Sequence, residues 1–268
     1  MVSKLPKVPS AARTLEQLDQ LGLTADTHKV ALAAALLWSY STRNELQKLL
    51  SLLGFKTTAG RAFSQESLKA AQEELKHKQL LVEHPSRQGY FLLNDALRLA
   101  LYQQLLELKT ANQLLQLICQ CHGFNLHPLP YYAFSGNTSG AIAVLRALFL
   151  AGTGQEEMMP VLKAVALGDD WLDHAARAVL LPFDAASFER LDAYWQSELA
   201  YSALVGLSQY WSSDLLPVYE WACAKLSAQP EDMPSYFWTA LGEVAVQQGD
   251  MALLNEALNG VDAGTGDA

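Results

Sequence analysis

Leu23–Leu93 reads LTADTHKVALAAALLWSYSTRNELQKLLSLLGFKTTAGRAFSQESLKAAQEELKHKQLLVEHPSRQGYFLL, three helical patterns followed by two short apolar runs. The first pattern, Thr27 to Tyr40, sets Val30, Leu32, Ala33, Leu36 and Leu37 on roughly one face. The second, Thr42 to Leu53, opens with Thr42 and has Glu45 three residues on, the spacing of a capping box that satisfies two orphan backbone donors. The third, Ser64 to His77, places Ser64 as N-cap and repeats Leu68, Ala71 and Leu75 at helical spacing. Leu80-Leu81-Val82 and Tyr90-Phe91-Leu92-Leu93 then flank His84-Pro85-Ser86-Arg87-Gln88-Gly89. Pro and Gly in that connector supply turn geometry, so the runs read as a hairpin. Three helices closed by a hairpin predict a winged helix-turn-helix, a body used to bind nucleic acid and also to dock proteins.

Charge is spread unevenly around this unit. Residues 1–95 carry 12 Lys+Arg against 9 Asp+Glu, a net of +3, and residues 96–268 carry 7 against 19, a net of −12; together they give −9. A phosphate backbone repels acidic surfaces and binds by releasing counterions from basic ones. Contact with nucleic acid is therefore expected in the first third, while the acidic remainder suits solubility or a docking surface for a basic partner. No stretch approaches the roughly 20 uninterrupted apolar residues of a spanning helix, so no membrane partner is expected. Met1–Leu21 has no apolar core between its cations and does not read as a secretory signal. The three cysteines, Cys119, Cys121 and Cys223, cannot all pair with one another, which points to a reducing, cytoplasmic setting.

Beyond the hairpin the chain is mainly helical. The expected organisation is an N-terminal extension (1–22), the winged helix (23–95), one long linking helix (96–121), a connector (122–137), irregular tetratricopeptide-like helical hairpins forming an α-solenoid (138–260) and a disordered tail (261–268). Asn94 or Asp95 caps the linking helix, whose buried side carries Leu97, Leu101, Leu105, Leu108, Leu115 and Ile118. The connector holds Gly123, Pro128, Pro130 and Gly136 among the aromatics Phe124, Tyr131, Tyr132 and Phe134. In the last pair, Phe237 to Leu258, the small residues Ala240, Gly242 and Ala245 permit close packing and Gly249-Asp250 makes the turn.

The motifs that could carry catalysis read as structure. Gly136-Asn137-Thr138-Ser139-Gly140 and Gly152-Thr153-Gly154 lack the following Lys and preceding strand of a phosphate loop, and a bare G-x-G between helices reads as a helix C-cap. Cys119, Cys121, His122 and His127 form the most metal-like cluster, but without zinc spacing. Asp169, Asp170, Asp173 and His174 open a helix, where carboxylates favour the dipole. Cys223 has no preceding basic residue to make it a thiolate. Trp38, Trp171, Trp195, Trp211, Trp221 and Trp238 are spaced for packing between helices. No cofactor, metal or catalytic residue is expected.

The third helix of the first unit carries the binding question. Its outward positions are Gln65, Glu66, Lys69, Gln72, Glu73, Lys76 and His77. Lys69, Gln72 and Lys76 could reach base edges or phosphates, with Lys56 and Arg61 in the preceding loop and Arg87 at the hairpin tip. Glu66 and Glu73 oppose them. This mixture suits weak, sequence-tolerant contact with double-stranded DNA or a protein interface, and both stay open.

A winged unit followed by irregular helical pairs, with the phrase Leu181-Pro182-Phe183-Asp184-Ala185-Ala186-Ser187-Phe188-Glu189-Arg190-Leu191 inside the array, resembles the non-catalytic N-terminal region of bacterial Swi/Snf-type helicase-like ATPases. The resemblance implies a recognition or regulatory module, its partner being nucleic acid, another protein or the remainder of a larger chain. None of the motor's motifs is present in these residues. A second resemblance is to transcription regulators that join a helix-turn-helix unit to a tetratricopeptide-like sensor.

Overall fold

A helix that is apolar all round belongs in the middle of its domain, and VALAAALL, Val30 to Leu37, is such a sequence. The computed structural model describes residues 21–124, 138–166, 171–210, 212–228 and 233–264. In it α1 (Ala25–Leu37) is buried continuously from Val30 to Leu37. It is packed by α2 (Arg43–Leu52), α3 (Gln65–His77), the hairpin strand β2 (Phe91–Leu93), α4 (Asp95–Leu108), α5 (Ala111–His122) and α6 (Thr138–Leu150). Each fully buried Leu or Val on it contributes about 1.5–3 kcal/mol. The protein is mainly helical throughout.

Capping residues set the ends of these helices. Thr42 and Glu45 form the expected capping box on α2: the Glu45 N–H donates to Thr42 Oγ1 at 3.3 Å and the Thr42 N–H to Glu45 Oε2 at 2.8 Å. Ser64 caps α3 reciprocally with Ser67, and Asn94 caps α4 through the Leu97 N–H. Glu74, on α3, accepts from the Thr24 N–H and from the hydroxyls of Thr24 and Thr27, which ties α3 to the start of α1. Against the opposing pull of burial, those bonds from Thr27 and Thr24 hold its carboxyl below the usual range.

The single long helix expected over 96–121 is two. Thr110 interrupts it with a capping box of its own, accepting from the Gln113 N–H while its N–H donates to Gln113 Oε1. The apolar positions on both sides share one pattern, which hides the break. Residues 261–264, expected to open a disordered tail, are instead the last turn of α13 (Met251–Gly264), and residues 265–268 lie outside the described ones.

β1 (Leu81–Glu83) pairs antiparallel with β2 in the register Leu81↔Leu93, Val82↔Leu92 and Glu83↔Phe91. Phe91 and Leu93 face the core and Leu92 between them is half-buried, the two-residue period of a strand with one wet face. On the far side of β2, Ser41 exchanges two backbone bonds with Phe91, at 2.9 and 3.1 Å.

By contacts the chain divides between Gly168 and Asp169, later than the expected connector at 122–137. Residues 125–137 lie outside the described ones. The reason for the later division is visible in α6, which packs on α5 and α1, with α7 (Gln155–Ala166) packed on α6. Arg146 of α6, only 2 % exposed, lies with its guanidinium carbon 3.3 Å from the ring centroid of Trp38 and 4.8 Å from that of Tyr102. Arg98 of α4 also approaches Trp38, at 4.7 Å, and donates to the Trp38 carbonyl and to Asp95. Helices α6 and α7 therefore belong with the first unit.

The second unit comprises α8 (Trp171–Val179), the short α9 (Ala185–Phe188), α10 (Ala193–Gln209), a 3-10 turn (Ser213–Leu215), α11 (Leu216–Ala228), α12 (Ser235–Gln248) and α13. Helices α9 and α10 are separated at residues 189–192, where Asp192 starts α10 by accepting from the Trp195 N–H at 2.9 Å. Helix α10 packs on α8, α11 and α12, and α13 on α11 and α12. Trp195, Trp221 and Trp238 are buried here, as Trp38 is in the first unit, in line with a packing role; the side chains of Trp171 and Trp211 lie outside the described ones. Small residues set the closest approaches: a Cβ on Gly260 would stand 2.9 Å from the Trp238 ring, and one on Gly242 3.4 Å from Leu254.

Candidate functional site

The three buried positions of α3, Leu68, Ala71 and Leu75, turn the opposite side of that helix to solvent. Gln65 at its start donates to Asn44 Oδ1 and Gln47 Oε1, which pins the helix to α2. At its other end β1 packs on it. Between them opens a cleft of about 420 Å³ lined by Arg43, Lys69, Gln72, Glu73, Lys76, Glu83 and the hairpin residues Gln88 to Phe91. That volume falls within the range of small-molecule sites, but such sites are mostly apolar, and these walls carry three cations and two carboxylates. An extended, charged ligand fits their chemistry better.

Of the sequence candidates, the cleft brings together Lys69, Gln72 and Lys76. Arg87 stands at the hairpin tip, exposed, with its guanidinium carbon 5.9 Å from the ring centroid of Tyr90, itself a cleft residue. Lys56 and Arg61 are exposed in the loop between α2 and α3 and do not line the cleft. Lys56 borders a separate depression with Gln47, Phe55 and Phe63, and its carbonyl accepts from Lys29 Nζ. Arg61 closes a turn with Thr57, its carbonyl accepting from the Thr57 N–H and its own N–H donating to Thr57 Oγ1.

Two charged cleft residues were missed in the sequence. Arg43 adds a third cation; as the first residue of α2 it is remote in sequence from α3, and only the crossing of the helices brings it near. Glu83 reaches Lys76 Nζ at 3.0 Å, both side chains being more than half exposed. That hydrogen bond, followed by the Glu83 charge, raises the Lys76 pKa. Lys76 is therefore already engaged, and a phosphate must displace a carboxylate to reach it. Cations and carboxylates in the cleft sum to +1, from Arg43, Lys69 and Lys76 against Glu73 and Glu83.

His84 builds the tip. Its Nδ1 accepts from the N–H groups of Ser86 and Arg87, each at 3.1 Å, which fixes the tautomer with the proton on Nε2. The ring packs edge-on against Tyr40, centroids 4.6 Å apart, and Gly89 takes φ +82° to bring the chain back. The Arg87 backbone is thereby held.

The other candidate groups are placed as follows. Burial pushes the thiols of Cys119, Cys121 and Cys223 up to about 11, which keeps them protonated. His122 is lowered by burial, and its Nδ1 stands 3.8 Å from Glu45; His127 lies outside the described residues. Among the described residues no three His, Cys, Asp or Glu side chains converge as metal ligands. Asp169, Asp170 and the Asp173 side chain lie outside the described ones. Gly152 closes α6 at φ +70°, with the Gly152 and Thr153 N–H groups donating to Phe149 and Leu148, a helix C-cap as expected. Glu156 and Glu157 on the first turn of α7 beside it would repel a phosphate. Among the described residues no helix is long and apolar enough to cross a membrane. No protein-family model matches this chain, and no curated protein or solved structure is measurably similar to it, which leaves the charged cleft between α3 and the hairpin as the basis for a functional reading.

Proposed function

We propose that residues 23–95 form a winged helix that makes weak, sequence-tolerant contact with double-stranded nucleic acid through α3 and the hairpin. The chain would then be a non-catalytic recognition or regulatory module, of the kind implied by the resemblance to the N-terminal region of Swi/Snf-type helicase-like ATPases. One observation carries the reading: Arg43, Lys69, Gln72 and Lys76 share one cleft under a hairpin whose tip holds Arg87. The single-residue pairing of Ser41 with Phe91 supports it, since it ties the segment between α1 and α2 to the side of β2 that β1 leaves open. With about three phosphates neutralised, log K should fall with log salt at a slope of about −2.7, and affinity near physiological salt should be no better than roughly micromolar.

Fluorescence anisotropy of the full chain with duplex and single-stranded probes, at about 50 and 200 mM salt, tests this. Lys69→Ala with Lys76→Ala should weaken duplex binding similarly for every sequence and shallow the slope by about two units. No duplex binding at the lower salt, or a slope unmoved by the double variant, would overturn the reading. The Lys76–Glu83 pair and the acidic second unit favour a second reading, in which the chain is an adaptor that docks proteins. The two are compatible if the helical pairs of the second unit take a protein partner while the first unit contacts nucleic acid.

A further inference from the structure

Residues 169–268 carry 16 Asp+Glu against 3 Lys+Arg, a net of −13. The helices α10, α12 and α13 contain no Lys or Arg at all. On α10, Tyr194, Glu198 and Tyr201 recur at spacings of four and three, and on α12, which packs against it, Tyr236 and Glu243 are seven apart. These stripes meet. The Tyr236 hydroxyl donates to Glu198 Oε1 at 2.7 Å, and the Tyr201 and Tyr236 rings stand edge to face with centroids 5.1 Å apart. Tyr194 and Tyr236 are 38 % and 40 % exposed, and Glu243 is exposed beyond them.

We propose that this face of the second unit docks an arginine-rich, basic peptide segment of a protein partner; the proposal rests on the reading that the helical pairs take a protein. The chemistry is complementary at two levels. Long-range attraction comes from the −13 charge, which concentrates cationic segments at this unit and repels acidic ones. Short-range selection comes from the tyrosines and Glu198. Guanidinium groups stack on aromatic faces and pair with carboxylates through a planar fork. The Tyr236 hydroxyl holds Glu198 Oε1 in place and leaves a second oxygen for such a fork. Among its described residues the unit already sets a cation over an aromatic ring, Lys225 Nζ lying 5.7 Å from the ring centroid of Trp221. An exposed tyrosine, Tyr236, backed by the half-buried Tyr201 and set beside an oriented carboxylate, with no cation on either helix, lacks only the cation.

The test uses the full chain and three labelled peptides of equal length: alternating Arg and Ser, alternating Glu and Ser, and an uncharged amphipathic sequence. The Arg/Ser peptide should bind. Glu198→Gln combined with Tyr236→Ala should weaken it by roughly tenfold or more. Tyr236→Phe keeps the ring and should give an intermediate loss. Glu220→Gln on α11 removes the same charge from another helix and should leave binding within about twofold. An equal loss in Glu220→Gln would reduce the effect to diffuse attraction and overturn the proposal. Preference for the uncharged peptide would overturn it while sparing the reading that the pairs take a protein; binding of none of the three would remove both. Circular dichroism checks that each variant folds, and duplex binding measured on the same samples should not change.

Discussion

Replacing Arg146 tests how the first unit is held together. It is the one charged side chain of α6, buried to 2 % exposure, and its guanidinium carbon lies 3.3 Å from the centre of the Trp38 ring. A desolvated cation–π contact contributes about 2 kcal/mol, and truncating a large buried side chain to Ala costs about 2–5 kcal/mol. The desolvation penalty of the charge, removed with it, offsets part of that loss. Arg146→Ala should therefore destabilise the first unit by about 3 kcal/mol, a fall of roughly a hundredfold in the exchange protection of its slowest amides. Hydrogen exchange read by mass spectrometry in peptides from α1, α4 and α6 measures it, with α10 and α12 as internal references. Arg146→Met restores the stem volume without the charge and should stay within about 1 kcal/mol of the parent. Unchanged protection in α1 and α4, or an equal fall in α10 and α12, would refute the assignment of α6 to the first unit. A Met variant as damaged as the Ala variant would refute the weight given to packing.

Tyr102 is fully buried and its hydroxyl finds no hydrogen-bond partner among the described residues, so Tyr102→Phe should stabilise the first unit by about 1 kcal/mol at neutral pH, read as a raised unfolding midpoint. Burial also pushes that hydroxyl from 10.0 up to about 12. A pKa raised on folding gives stability that is complete below the unfolded value and lost as pH rises through the folded one. The parent should thus lose up to about 3 kcal/mol between pH 10 and 12 that Tyr102→Phe does not lose, and coincident alkaline curves would place the hydroxyl in water. Glu83→Gln frees Lys76 from the carboxylate that a phosphate must displace and should tighten duplex binding by up to about fivefold, with the slope near that of the parent. Unchanged affinity would mean that the ion pair does not compete with phosphate.

The helix starts were legible wherever a capping residue stood at a change of pattern, as at Thr42, Ser64 and Asn94. Thr110 was not legible, although Thr110-x-x-Gln113 is the same kind of signal, because the leucine spacing continues across it. Asp192 was hidden likewise by the aromatic and apolar residues on both sides of it. Outward positions of α3 followed from periodicity, and so Lys69, Gln72 and Lys76 could be named together. Arg43 and Glu83 could not, since their place in the cleft depends on how α2 and β1 cross α3. The burial of Arg98 and Arg146 ran against the ordinary exposure of arginine, and with it went the position of the boundary between units.

The small sheet has a further property. The bridge to Ser41 engages the free side of β2 at Phe91 and β1 occupies the other, so that, among the described residues, β1 offers an open edge only three residues long and ending in the charged Glu83. Longer, flatter edges recruit foreign strands and seed aggregation. A hairpin with an edge this short can reach solvent without becoming adhesive to its own copies when the protein is concentrated.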